Sequence, residues 1–233
     1  MYIFEEQHLA QRNYDLGREL LKWIAIITMT FDHVGAILYP EFEFLRLIGR
    51  LAFPLFAYLL ILGMESTRNI HNYFFRLFIF ALISQIPFFL ATNYAPFKLL
   101  NIFFSLSFGL LFITFFKRGS PLALVPLLSS FILPIDYGIY GLAMIGCMYI
   151  LTKNTKLGVV SLLLLNGLFL VPFNSQLLSL AALPLIVFHN NGALNISKPL
   201  SGNYKILLLR KYFFYVYYPL HLTFLYIIKL YFF

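Results

Sequence analysis

Apolar runs broken by short polar punctuation fill the chain from Leu20 to its last residue, near residues 20–39, 44–64, 74–92, 100–116, 121–133, 138–152, 157–172, 176–188 and 207–231. A helix of about 20 apolar residues spans a bilayer's hydrocarbon core, so the pattern predicts an all-α polytopic membrane bundle of about eight to ten transmembrane helices. The runs at 121–133, 138–152, 157–172 and 176–188 are shorter than that, which predicts that some are re-entrant or packed inside the bundle. Turn formers and charges separate the runs, as in Tyr39-Pro-Glu-Phe-Glu43, Glu65-Ser-Thr-Arg-Asn69, Lys117-Arg-Gly-Ser-Pro121 and Pro134-Ile-Asp-Tyr-Gly138. His189–Ile206 is the one long polar stretch, expected as a functional loop.

Composition removes the soluble alternatives. The 233 residues are 61% hydrophobic and 11% charged, against roughly 45–50% and 25% in a soluble domain. The chain therefore reads as one transmembrane domain over residues 1–233, with 1–19 a short polar cytoplasmic segment. Glu5, Glu6, Asp15 and Glu19 in that segment, and no small-residue cleavage site after the first apolar run, argue against a removable signal. The single Cys147 rules out an internal disulfide and a cysteine metal cluster, and no metal-ligand spacing, phosphate loop or serine elbow is present.

The net charge of +8 changes meaning once it is placed in topology. With a cytoplasmic N-terminus, only Arg46, Arg50, Lys98 and Lys229 of the 17 lysines and arginines fall on the far side. That is a strong positive-inside bias, so the basic excess orients the protein in a lipid bilayer and no nucleic-acid partner is expected.

Asp32 and His33 lie inside the first apolar run, where an ionisable group costs roughly 2.5–3.5 kcal/mol on insertion scales and is rarely kept without a task. His221 lies in the last run. A neutral imidazole can take a proton from a hydroxyl or amine and return it, so both histidines are candidates for acid–base work. Asp32 is a candidate to orient the imidazole, although adjacent residues on a helix point about 100° apart, and an interhelical bond from Asp32 to Arg50 is an equal expectation. Arg50 lies deep near the outer end of the second run, and Arg46, one turn before it, is expected to snorkel to the interface. Toward the cytoplasm, Lys22, Arg68, His71, Arg76, Arg210 and Lys211 form a basic group suited to phosphates, or simply to cytoplasmic helix ends. Lys22 and His33 are eleven residues apart, as are Arg210 and His221, so each pair shares one helix face about 16 Å apart in depth.

Three blocks together resemble a known family: Leu21-Lys-Trp-Ile-Ala-Ile-Ile-Thr-Met-Thr-Phe-Asp-His-Val-Gly35, Ile48-Gly-Arg-Leu-Ala-Phe-Pro-Leu-Phe56 through Thr67-Arg-Asn69 and Tyr73 to Arg76, and Lys211-Tyr-Phe-Phe-Tyr-Val-Tyr-Tyr-Pro-Leu-His221. They resemble the TraX family, whose named member acetylates the N-terminus of conjugative pilin. The resemblance implies an acetyl-CoA-dependent acetyltransferase, without a metal, in the bacterial cytoplasmic membrane, acting on a pilin-like or other cell-envelope acceptor. The chain is also similar to the bacterial multi-spanning membrane acyltransferases, in which a basic residue, ten intervening residues and a His occupy the first helix, as Lys22 and His33 do here. Carried over, His33 becomes the catalytic base, with Asp32 fixing it and Arg50 or His221 stabilising the oxyanion. Lys22, Arg68, Arg76 or Arg210 would hold the CoA phosphates.

Two other classes fit the same residues. In a transporter, Asp32, His33, Arg50 and His221 would form a proton or anion relay. A non-catalytic assembly factor would need none of them chemically.

Overall fold

The computed structural model describes residues 13–93, 98–168, 175–194, 197–199 and 204–232. Its elements are β1 (Asn13–Asp15), α1 (Leu16–Ile37), α2 (Glu43–Gly49), α3 (Ala52–Ser66), α4 (Ile70–Thr92), α5 (Ile102–Lys117), α6 (Leu124–Ile132), α7 (Gly138–Lys153), α8 (Thr155–Leu168), α9 (Leu183–Asn190), β2 (Ser197–Pro199) and α10 (Tyr204–Phe232). Short 3-10 segments at Pro121–Ala123 and Ser175–Ala182 lead into α6 and α9. The only sheet among the described residues pairs β1 with β2, Asp15 opposite Ser197. The protein is an all-α polytopic membrane bundle, and four segments, Leu16–Ile37, Glu43–Ser66, Ile70–Thr92 and Tyr212–Phe232, are long and apolar enough to cross a membrane.

The helical rods alternate in direction, so the bundle has two ends. The basal end carries Asp15, Ser66 and Lys153, and the distal end carries Ile37, Arg50 and Asp136. Contacts between distant residues confirm the alternation: Arg18 on α1 reaches Ser66 on α3 basally, while Lys229 on α10 donates to the Ala91 carbonyl distally. Helix α3 is the core, with every residue from Ala52 to Ile61 buried. A helix apolar all round suits either lipid or a protein interior, and α3 takes the interior, packed against α1, α5, α7 and the 175–182 segment. Helix α10 closes the bundle against α4 and α1.

Local chemistry sets where the helices break, begin and are pinned. The second apolar run is expected as one helix, but the structure breaks it between Gly49 and Ala52. Pro54 has no N–H to give the Arg50 carbonyl four residues back, and its ring crowds that carbonyl, so the helix restarts. Helix α1 begins at Leu16, earlier than the apolar pattern suggests, because the Asp15 side chain accepts from the Arg18 amide and caps the first turn. At the distal end, the Leu100 amide donates to the Pro134 carbonyl (2.7 Å) and the Asp136 amide donates to the Leu100 carbonyl (2.9 Å). These bonds pin the α6–α7 loop to the start of α5 and fix the backbone at Asp136.

Candidate functional site

His33 on α1 and His221 on α10 meet at the bundle seam: His33 Nδ1 lies 2.8 Å from His221 Nε2. The rings also stack, with centroids 5.0 Å apart. The protons can be assigned from the partners. His221 Nδ1 lies 3.0 Å from the Tyr217 carbonyl, which can only accept, so Nδ1 carries the hydrogen. In a neutral ring His221 Nε2 is then bare, and His33 Nδ1–H must donate to it. That leaves His33 Nε2 as an open lone pair, with no hydrogen-bond partner among the described residues. One turn below, the Thr30 hydroxyl donates to the Ile26 carbonyl, so the Tyr217 hydroxyl donates to Thr30 Oγ1 at 2.8 Å and ties the same two helices. Tyr218, buried, sets its ring edge-on to His33 at 5.8 Å.

Asp32 does not orient His33. Its Oδ2 accepts from Arg46 at 2.7 Å, and its backbone carbonyl accepts a second, longer bond from the same guanidinium. The roughly 100° step between neighbouring helix positions sends Asp32 toward α2 while His33 faces α10. Arg46 therefore turns inward to an ion pair rather than snorkelling, and it takes the place expected for Arg50. The close approach depends on Gly49, where a Cβ would collide with the Asp32 carboxylate. Arg50, at the helix break, keeps a buried Nε–H with no partner among the described residues. Asp136 stands in the same electrostatic neighbourhood as Asp32, Arg46 and Arg50. Burial first, then the Asp32 carboxylate, pushes its carboxyl up to about 7. Tyr137 beside it takes a left-handed backbone (φ 63°) and stacks on Phe53 at 4.0 Å. Asp136 reads from the sequence as a turn former, because nothing local reveals that its loop brings it within electrostatic reach of Asp32, Arg46 and Arg50.

Among the described residues, those expected to hold phosphates have different surroundings. Lys22 pairs with Glu19 on its own helix, and Arg68 is exposed at the α3–α4 turn. The side chain of Arg210 lies outside the described residues. Arg76 is partly buried among aromatic faces, over Tyr73 and Tyr215 (5.2 Å each) and Tyr212 (5.9 Å). Arg18, which in the sequence looks like an ordinary helix-end charge, acts on the same Tyr73 and Tyr215.

A third histidine does not stand out in the sequence. His189 closes α9 in the structure instead of opening a loop, and it is buried. Its Nε2 donates to Asp15 Oδ2 at 3.0 Å, and its Nδ1 lies 2.9 Å from the buried Tyr58 hydroxyl. Asn190 continues the network to the Leu151 carbonyl and Thr155. The signal that could have found it is the apolar run Leu183–Phe188, which continues helically through His189, together with Asp15 placed as a helix cap.

The TraX protein family model matches residues 17–229. Similar proteins include one named "Probable fimbrial assembly protein FimC, serogroup H1" from Dichelobacter nodosus, 29% identical over 92% of this chain and 96% of that one. A "Protein TraX" from Escherichia coli is 31% identical over 57% of this chain and 55% of its own. An uncharacterized Rickettsia prowazekii protein is 33% identical over 44% of this chain, a match that spans 38% of the relative. No solved structure matches.

Proposed function

The chain belongs to the TraX family, and from that premise we propose an integral-membrane acetyltransferase of the bacterial cytoplasmic membrane that moves acetyl from acetyl-CoA to an amine or hydroxyl of a cell-envelope acceptor. The names of its relatives, fimbrial assembly protein and TraX, favour a pilin-like acceptor. The observation that carries the reading is the open Nε2 of His33, held in one tautomer by His221.

In this scheme His33 Nε2 removes a proton from the acceptor as its nitrogen or oxygen attacks the thioester carbonyl. The resulting imidazolium keeps donating Nδ1–H to His221 Nε2, which spreads the new charge over two rings. The partnerless Nε–H of Arg50 is suited to the oxyanion, because a preorganised donor in a water-poor site costs no reorganisation as charge develops. The carbon–sulfur bond then breaks, and the departing CoA thiolate takes the proton from His33. Asp32 acts at one remove, holding Arg46 and the α1–α2 hairpin beside the dyad.

The test is CoA release from acetyl-CoA by purified protein supplied with envelope extract, wild type against His33→Gln. A loss of about 10²–10⁴-fold in the variant, the ordinary share of general-base catalysis, supports the assignment. Wild-type protein that neither binds acetyl-CoA nor releases CoA would remove the enzyme reading and leave proton or anion transport through the same residues.

A further inference from the structure

We infer that Arg18 and Arg76 form the two arms of an anion site at the basal end, built for a phosphate anhydride, and that it is this site that holds the diphosphate of the acyl donor. The second half of the inference rests on the proposed function; the first does not. Arg18 comes from the first turn of α1 and Arg76 from the second turn of α4, and a short chain of contacts links them: Arg18 bonds the Ser66 hydroxyl, which lies 3.3 Å from the Gly63 carbonyl, and Gly63 packs against the Tyr73 hydroxyl, over whose ring Arg76 sits. Each guanidinium has a buried Nε–H with no partner among the described residues. Neither has a carboxylate within ion-pair distance among those residues, in contrast to Lys22, Arg46 and Lys153, which are all paired.

Existing contacts hold the two cations in place without consuming their charge. Arg18 gives one terminal N–H to the Ser66 hydroxyl at 3.2 Å. Arg76 is clasped by aromatic faces and donates to the Tyr215 hydroxyl. Two partly buried, preoriented guanidiniums without an ion-pair partner among the described residues are the arrangement that a doubly charged phosphate group satisfies, through charge-assisted forked hydrogen bonds. Depth fits as well. Arg18 lies fifteen residues before His33 on one helix, about 22 Å of rise, so an anion held here leaves an extended arm to run along α1 toward the dyad.

The experiment uses purified full-length protein in lipid-free detergent and four probes: pyrophosphate, phosphatidylglycerol, acetyl-CoA and S-acetyl-N-acetylcysteamine, a thioester without phosphates. Pyrophosphate is expected to raise the melting temperature of the wild type. Arg76→Gln and Arg18→Gln should each abolish that rise, and Arg76→Lys should keep part of it. The ratio of affinities for acetyl-CoA over the truncated thioester should fall about tenfold to a hundredfold in the Gln variants, the size expected for a lost charge-assisted bond. Equal pyrophosphate protection in wild type and folded Arg76→Gln overturns the site. Protection by phosphatidylglycerol but not by pyrophosphate overturns it in favour of a lipid headgroup. Pyrophosphate protection through Arg18 and Arg76 without acetyl-CoA binding keeps the anion site and removes the acetyl-donor reading. An unchanged affinity ratio in variants that no longer respond to pyrophosphate shows that the donor's diphosphate binds elsewhere.

Discussion

His33 and His189 are both histidines enclosed in the bundle, each on a helix and each bonded across to another helix, yet they are chemically opposite. Both ring nitrogens of His189 are engaged, one by the Asp15 carboxylate and the other by the Tyr58 hydroxyl. Among the described residues only one nitrogen of His33 is engaged, and its partner His221 is itself committed to a backbone carbonyl. A saturated imidazole can hold elements together but has no site left for a substrate proton. An imidazole with an open lone pair contributes one fewer bond to the fold and keeps a base. Counting the engaged nitrogens separates a histidine spent on the fold from one with a nitrogen to spare more sharply than burial does.

The comparison breaks first at turnover. Replacing His33 with Gln should remove about 10²–10⁴-fold of acetyl transfer while the protein keeps its melting temperature within a few degrees, measured on the same detergent preparation. His189→Ala should do the reverse. It leaves the buried Tyr58 hydroxyl only its longer bond to Asn190 Oδ1, takes the imidazole from Asp15 Oδ2, and costs about 1–3 kcal/mol of stability, read as a fall in melting temperature, while turnover per folded molecule stays within a few-fold. If His189→Ala lost turnover as deeply as His33→Gln with its stability intact, the division between the two would fail.

A smaller effect tests the scaffold around the dyad. Gly49→Ala inserts a methyl where Asp32 Oδ1 now lies, so the Asp32–Arg46 pair must part. Turnover should drop about tenfold, through misplacement rather than loss of the base, and Gly49→Ser should do no better. The smallest is electrostatic. The Asp136 carboxyl titrates near 7 in the folded protein against an ordinary 3.8, so the folded state holds that proton more tightly than the unfolded chain does. Stability should therefore decline as pH rises from about 4 to about 7, and Asp136→Asn should flatten that slope and gain on the wild type above pH 7. Parallel melting curves from pH 4 to 8 check it.

Much of the bundle was legible in hydropathy because a membrane helix must satisfy its backbone internally and cover itself with apolar side chains, a constraint written residue by residue. Asp32, His33, Arg50 and His221 stood out for the same reason, as costly groups in apolar runs. Their pairing was not legible. Whether Asp32 meets His33, Arg46 or Arg50 depends on helix phase and on the break that Pro54 imposes, and a one-residue step turns a side chain to another neighbour. Asp15, Tyr58 and His189 lie far apart in the chain and resemble a cap, a core tyrosine and a loop residue when read alone. Arg18 was hidden by its position, since basic residues at that end of a helix are the general rule.

The His33–His221 bond closes a separation of 188 residues, between α1 and α10. Helices leave the ribosome in order, so α1 presents its histidine to the bilayer long before α10 exists to receive it. Throughout that interval His33 has no partner to fix its tautomer, and a chain whose synthesis stops before α10 never acquires one. On the proposed function, the base is thus set only once α10 has been made and packed against α1, and a fragment lacking α10 should carry no acetyl-transfer activity.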